Sequence, residues 1–155
     1  RGFRPGRAAR WQTCGQALML ALDTNVLARY YVVEETAGAR AQSEAARRVM
    51  EGGAALFVPK TVLLELEWAL RGVYARTRGD VCRVFEHLLS LSNLEVEDRE
   101  AVDRALGNLK VGLDFADALH HASSRACTAF FTFDVKRFAI RARKLALTPP
   151  VRIPA

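Results

Sequence analysis

The chain has 155 residues, half of them hydrophobic and 26% charged, a balance that suits one globular domain able to bury its own core. Its apolar runs fall far short of the roughly 20 residues a membrane helix needs. Cys14, Cys82 and Cys127 stand far apart with no CxxC pair, which argues against a zinc site and for a reducing, cytoplasmic setting. The net charge of +6 is uneven: Arg1, Arg4, Arg7 and Arg10 fall in the first 18 residues, which hold no acid, and the remainder carries 19 basic and 17 acidic residues. Composition therefore does not dictate a strongly basic face.

Residues 1–18 show no hydrophobic periodicity and are expected to be disordered or an upstream extension, with Met19 as a natural start. Their arginines also have the look of a transit peptide, the less favoured reading. Residues 19–155 then form the single folded domain. "MLALD" (19–23) reads as a short buried strand ending in an acid, and "TNVLARYYV" switches to helical spacing. Residues 41–51 form a second, more charged helix stopped by Gly52 and Gly53. "ALFVP" (55–59) is a strand, and the helix after it takes Thr61 as its cap. Asp80 caps a helix running to about Ser90, "LEVE" (94–97) is a strand, and Asp98 caps the next helix. Gly112 breaks the chain before a helix over 114–126. "AFFTFD" (129–134) is a strand, a helix follows to about Arg143, and Val151–Ile153 forms an edge strand. Alternating strands and helices predict an α/β fold, a three-layer αβα sandwich around a mainly parallel sheet of about five strands.

Parallel sheets place ligand sites beyond the carboxyl ends of their strands. Asp23 and Asp134 occupy such positions, more than a hundred residues apart. In "GLDFADALHH" (112–121), Asp114 and Asp117 share a helix face at i, i+3. Either could serve as a helix cap or a ligand. Glu65 and Glu67 point roughly 200° apart around their helix, so only one can share its apolar stripe. Leu63, Leu64 and Leu66 surround Glu65, whereas Trp68 and Arg71 accompany Glu67. Asp23, Glu65, Asp117 and Asp134 thus come from four segments that a parallel sheet brings to one edge. Two unit charges about 4 Å apart repel by roughly 4 kcal/mol at an effective dielectric of 20, so such a cluster needs raised pKa values or a cation. Hard oxygen donors without Cys or His spacing suit Mg2+ or Mn2+. Asn25 and Thr132 stand two residues from Asp23 and Asp134 and could orient them, or could simply start a helix and fill a strand.

"LDTNVLARY", "VPKTVLLELEWALRG", "GLDFADALHHASS" and "FFTFD" together resemble the four acidic motifs of PIN-domain ribonucleases, most closely VapC-type toxins of toxin–antitoxin pairs. The resemblance covers residues 19 to about 145. It implies metal-dependent hydrolysis of RNA phosphodiesters by water, leaving 5′-phosphate and 3′-hydroxyl ends. By position, the catalytic and metal-holding acids would be Asp23, Glu65, Asp117 and Asp134, with Asn25, Thr132 and Asp114 in support. Asp114 is an extra acid that first serves its helix. His120 and His121 are expected in packing or surface roles. Arg29, Lys60, Arg71, Lys136, Arg137 and Arg141 are candidates for holding RNA phosphates. The family further implies a small antitoxin partner and a homodimer. The surplus aromatics Tyr30, Tyr31, Trp68 and Tyr74 would serve those faces or fill the core. Two other readings stay open: a non-catalytic PIN-like protein binding a cation or basic partner, and a phosphatase, although Asn25 stands where that chemistry commonly has an aspartate.

Overall fold

A computed structural model describes residues 19–32 and 36–155. The expectation for residues 1–18 falls outside the described residues. Strands β1 (Met19–Ala21), β2 (Ala55–Val58) and β3 (Leu94–Val96) form a parallel sheet with β2 in the middle. Strands β4 (Phe130–Phe131) and β5 (Val151–Arg152) form a separate parallel ladder. Every pairing is parallel, as expected, and the layers are those of an αβα sandwich. The five strands are divided three and two because β1 and β4 make no ladder with each other.

Helices α1 (Thr24–Tyr31) and α2 (Ala37–Glu51) connect β1 to β2. Helix α3 (Lys60–Trp68), a π-helical turn (Ala69–Val73) and α4 (Arg78–Ser90) connect β2 to β3. Helices α5 (Arg99–Lys110) and α6 (Phe115–Ser123) lead to β4. A second π-helical turn (Val135–Ala139) and α7 (Ile140–Lys144) lead to β5. None of these helices is long and apolar enough to cross a membrane.

The core is centred on β2, whose Leu56 and Val58 are fully buried between Leu94 and Val96 of β3 and the helices. Phe85 of α4 meets Phe115 of α6 edge to face at 4.9 Å. Each such buried side chain contributes about 1.5–3 kcal/mol. Tyr30, Tyr31 and Tyr74 pack against this core, so three of the four surplus aromatics are core filling. His121 is buried, packs on Phe130 and Phe138, and donates through Nε2 to the Pro149 carbonyl at 2.7 Å. It therefore ties the end of the chain to α6, the packing role expected of it.

Several element starts differ from expectation for identifiable reasons. Helix α2 begins at Ala37, because Thr36 accepts from the Ala39 N–H. Helix α3 begins at Lys60 on Pro59, one turn-position before Thr61. Pro59 has no side-chain acceptor to offer, and Glu97, at the end of β3, accepts from the Lys60 N–H instead. Thr77, not Asp80, caps α4; Asp80 closes the reciprocal box by accepting from the Thr77 N–H. The predicted strand 129–134 is paired only at Phe130 and Phe131, because the chain turns at Thr132, whose hydroxyl accepts from the Asp134 N–H. Asp98 does cap α5, in the left-handed region at φ 50°. Gly112, at φ 103°, makes the turn between α5 and α6 that only glycine takes without strain.

Candidate active site

Three of the four predicted acids, Asp23, Asp117 and Asp134, lie where a strand or loop delivers the chain into a helix, and Glu65 lies within α3. Asp23 follows β1 and caps α1: Oδ1 accepts from the Thr24 N–H at 2.8 Å, and Oδ2 from the Asn25 amide at 3.4 Å. Thr24 is buried and donates its hydroxyl to Glu65 Oε2 at 2.6 Å, fastening the start of α1 to α3. Asp114 caps α6, accepting at Oδ1 from Ala116 and Asp117. Asp134 caps the second π-helical turn, accepting at Oδ1 from Arg137 at 2.8 Å. These placements follow from short acidic side chains satisfying free N–H groups at helix starts.

Neighbouring acids then link up. Glu65 and Asp114 line one cleft of about 380 Å³ between α3 and α6. Asp114 and Asp134 both act on Asp117. The Asp117 carboxyl is held above the ordinary carboxylate range, first by burial and then by these two anions, with His120 opposing. Among the described residues Asp117 accepts no hydrogen bond and has no ion-pair partner, whereas Asp23 and Asp114 each accept two hydrogen bonds and Glu65 and Asp134 one each.

The two glutamates of α3 exchange the surroundings expected of them. Glu67 is buried and Glu65 is exposed. Leu63, Leu66 and Leu70 are the residues α3 and its π-helical end turn inward, and Glu67 lies at i+4 from Leu63 and i−3 from Leu70, on that same stripe. Its carboxyl is raised by burial, with the Arg71 guanidinium 3.3 Å away opposing and Asp114 reinforcing. Sequence reading passed over Glu67 as a site residue; its spacing from the leucines was the signal.

The candidate phosphate-binding cations are scattered. Lys60 lies 3.7 Å from Asp98, Arg71 pairs with Glu67, and Arg141 donates to the Gly112 carbonyl. Arg29 lines a cavity between α1 and α2 together with Asn25. Lys136 and Arg137 are exposed in the turn that Asp134 caps. Thr132 supports Asp134 by accepting a hydrogen bond from the Asp134 backbone N–H at its hydroxyl rather than from a shared strand face.

Among the described residues no three His, Cys, Asp or Glu side chains form a group that could hold a metal ion by themselves. The donor set is nonetheless all hard oxygen, and burial together with two neighbouring carboxylates disfavours the charged form of Asp117. These residues fit a hydrated Mg2+ or Mn2+, which takes one or two carboxylates and keeps several waters, rather than an ion in an all-protein cage.

Comparison with curated proteins found no significant match. The family model of the PIN domain matches residues 20–144, a span that contains all four predicted acids. PIN domains are generally nucleases, and PIN nucleases act on nucleic acid, typically with divalent metal ions. With most of its length matched by that model, the chain belongs to the PIN domain family.

Proposed function

We propose that the protein is a Mg2+- or Mn2+-dependent endoribonuclease, the toxin of a toxin–antitoxin pair. The observation that carries the catalytic part is Asp117: a half-buried carboxylate with no donor among the described residues, acted on by both Asp114 and Asp134. Folding that charge into place costs free energy that an external cation would recover.

In this reading Asp117 and Asp134 hold the ion, with Asp23 and Glu65 completing the acidic set. When bound, the ion lowers the pKa of a water and offsets charge on the phosphoryl and leaving oxygens. Asp114 and Asp134 each commit Oδ1 to a helix cap and keep Oδ2 for a ligand or an ordered water. Thr24 locks Glu65 to the first turn of α1, so Asp23 and Glu65 are positioned as a unit. Asn25 steadies Asp23 from the same turn. The chain contributes no activated Ser or Cys in this acidic row, which leaves water as the nucleophile. The antitoxin, the homodimer and the cytoplasmic setting rest on the resemblance to VapC-type toxins.

The test is cleavage of total RNA by the purified chain with Mg2+ or Mn2+, with the ends mapped. Products bearing 5′-phosphates, lost on adding EDTA, are expected; cleavage unchanged in EDTA rejects the mechanism. A short neighbouring gene for a DNA-binding antitoxin is expected, and its absence argues against the toxin assignment. A second reading, a non-catalytic PIN protein binding a cation or basic partner, is favoured by one observation: four of the site carboxylates already have donors. Tight cation binding without any RNA turnover would establish it instead.

A further inference from the structure

Two pairs of acids make up the proposed site, and they are joined in different ways. Thr24 joins Asp23 to Glu65 directly: its backbone N–H donates to Asp23 and its hydroxyl donates to Glu65. Asp117 and Asp134 sit on separate segments, the first turn of α6 and the cap of the second π-helical turn. Asp117 accepts no hydrogen bond among the described residues, so its spacing from Asp134 is set by contacts further out.

Asp134 opens a continuous helical rod. Its side chain accepts from the Arg137 N–H and its carbonyl from the Ala139 N–H, and the Ile140 N–H reaches the Val135 carbonyl. The π-helical turn therefore runs into α7 without a break. This rod is anchored to the α6 segment at two points, one on either side of Asp117 in sequence. Phe138 is buried against His121, with ring centroids 5.9 Å apart. Arg141 donates through Nη1 to the carbonyl of Gly112, in the turn that leads into α6. That carbonyl lies two residues before the Asp114 cap, outside the helical ladder, and the Ala116 N–H is already taken by Asp114. A guanidinium reaching in from α7 is therefore a suitable donor, and its charge strengthens the bond. Gly112 leaves room for it: a Cβ there would lie 3.7 Å from Arg141 Nη1 and 3.4 Å from Arg78 Nη1.

We infer that Arg141 is a positioning residue: by fastening α7 to the turn before α6, it holds Asp134 at the spacing from Asp117 that lets both carboxylates share one divalent cation. This deepens the metal-dependent reading and rests on it. One anchor would let the rod swivel about Phe138, whereas two fix its direction. Mg2+ demands near-ideal geometry, and side chains that form such a site must be held to within about 0.5 Å. The positive charge of Arg141 suggested a contact to RNA phosphate, but its hydrogen bond commits it to the protein's own frame.

Isothermal titration of the RNA-free protein with Mn2+ reads this spacing without turnover. R141A should bind Mn2+ on the order of tenfold more weakly than wild type, the usual cost of losing a group that orients metal ligands. R141K, which keeps a donor, should recover most of the loss. R143A, which removes an exposed arginine from the same helix, should bind as wild type. In RNA cleavage, R141A should lower kcat and leave KM within about twofold. Mn2+ affinity unchanged in R141A, or weakened equally in R143A, overturns the positioning role. A raised KM in R141A, with the salt dependence reduced by about one phosphate contact, also overturns it and makes Arg141 an RNA contact. Wild-type chain that binds Mn2+ but cuts no RNA overturns the nuclease reading and leaves the titration to decide Arg141. Wild-type chain that binds no Mn2+ overturns the metal site and this inference with it.

Discussion

Helices α5 and α6 both start on an aspartate cap, and their surroundings push the acids in opposite directions. Asp98 at α5 accepts from the Ala101 N–H and from Arg125 at 2.8 Å, with Lys60 at 3.7 Å. The Arg125 hydrogen bond, above all, holds its carboxyl below the ordinary range. At α6, Asp114 takes the cap and Asp117 lies in the first turn, with Asp134 the next acid in reach and, among the described residues, no cation paired to either. Both starts offer the same free N–H groups and the same helix dipole. What separates them is the company each acid keeps. An acid paired with arginine and lysine is part of the scaffold, whereas an acid crowded by other acids is a place for charge brought from outside.

Substitutions at the two starts can break this contrast, and the largest expected effect is on turnover. Asp117→Asn should lower kcat for RNA cleavage on the order of 10³-fold, as expected when an ion-holding acid is lost. Asp98→Asn should leave kcat within about threefold. Equal losses in the two variants, measured under saturating substrate, would abolish the distinction.

Metal addition should come next. At a hundred times its Kd, Mg2+ should raise unfolding free energy by about 2.7 kcal/mol, seen as a rise in Tm. Asp117→Asn should lose most of that response, and Asp98→Asn should keep it.

Asp98→Ala should then cost about 2 kcal/mol in urea denaturation at pH 7, since it removes a helix cap at a left-handed residue. The folded pKa of Asp98 lies below its unfolded value. Its charge-dependent contribution is therefore complete above the unfolded carboxylate pKa of about 3.9, and fades as pH falls through the folded pKa.

The smallest effect has the opposite sign. The folded pKa of Asp117 lies above its unfolded value. It therefore costs nothing below about pH 3.9, and destabilises increasingly as pH rises from there through the raised folded pKa. Metal-free Asp117→Asn should melt about 2 °C higher than wild type at pH 7, with the difference vanishing near pH 3. A variant that melts lower at pH 7 would show that the carboxylate is structural.

Local chemistry was legible where it acts within a few residues. Asp98 and Asp114 were read as caps because a cap needs only its own helix start. Gly112 was read as a break because the turn there needs positive φ. Strand and helix alternation was enough for a parallel α/β sandwich. The errors lie where a distant residue supplies the group. Thr61 was preferred as a cap because Glu97, which serves the Lys60 N–H, is 37 residues away. Glu65 was placed on the apolar stripe by its leucine neighbours in sequence, although the leucines at Glu67's own helical spacing decide burial.

From residue order alone come the acids, their order, the helix starts that hold all but Glu65, and the family they suggest, because helix caps and hydrophobic periods are short-range. Tertiary structure decided which carboxylates lack a counter-ion among the described residues, how Thr24 joins Glu65 to α1, and that Trp68 faces water in the cleft of Glu65 and Asp114. Those properties depend on what lies across space from each side chain, and the electrostatic cost of a charge is set by those neighbours rather than by its place in the chain.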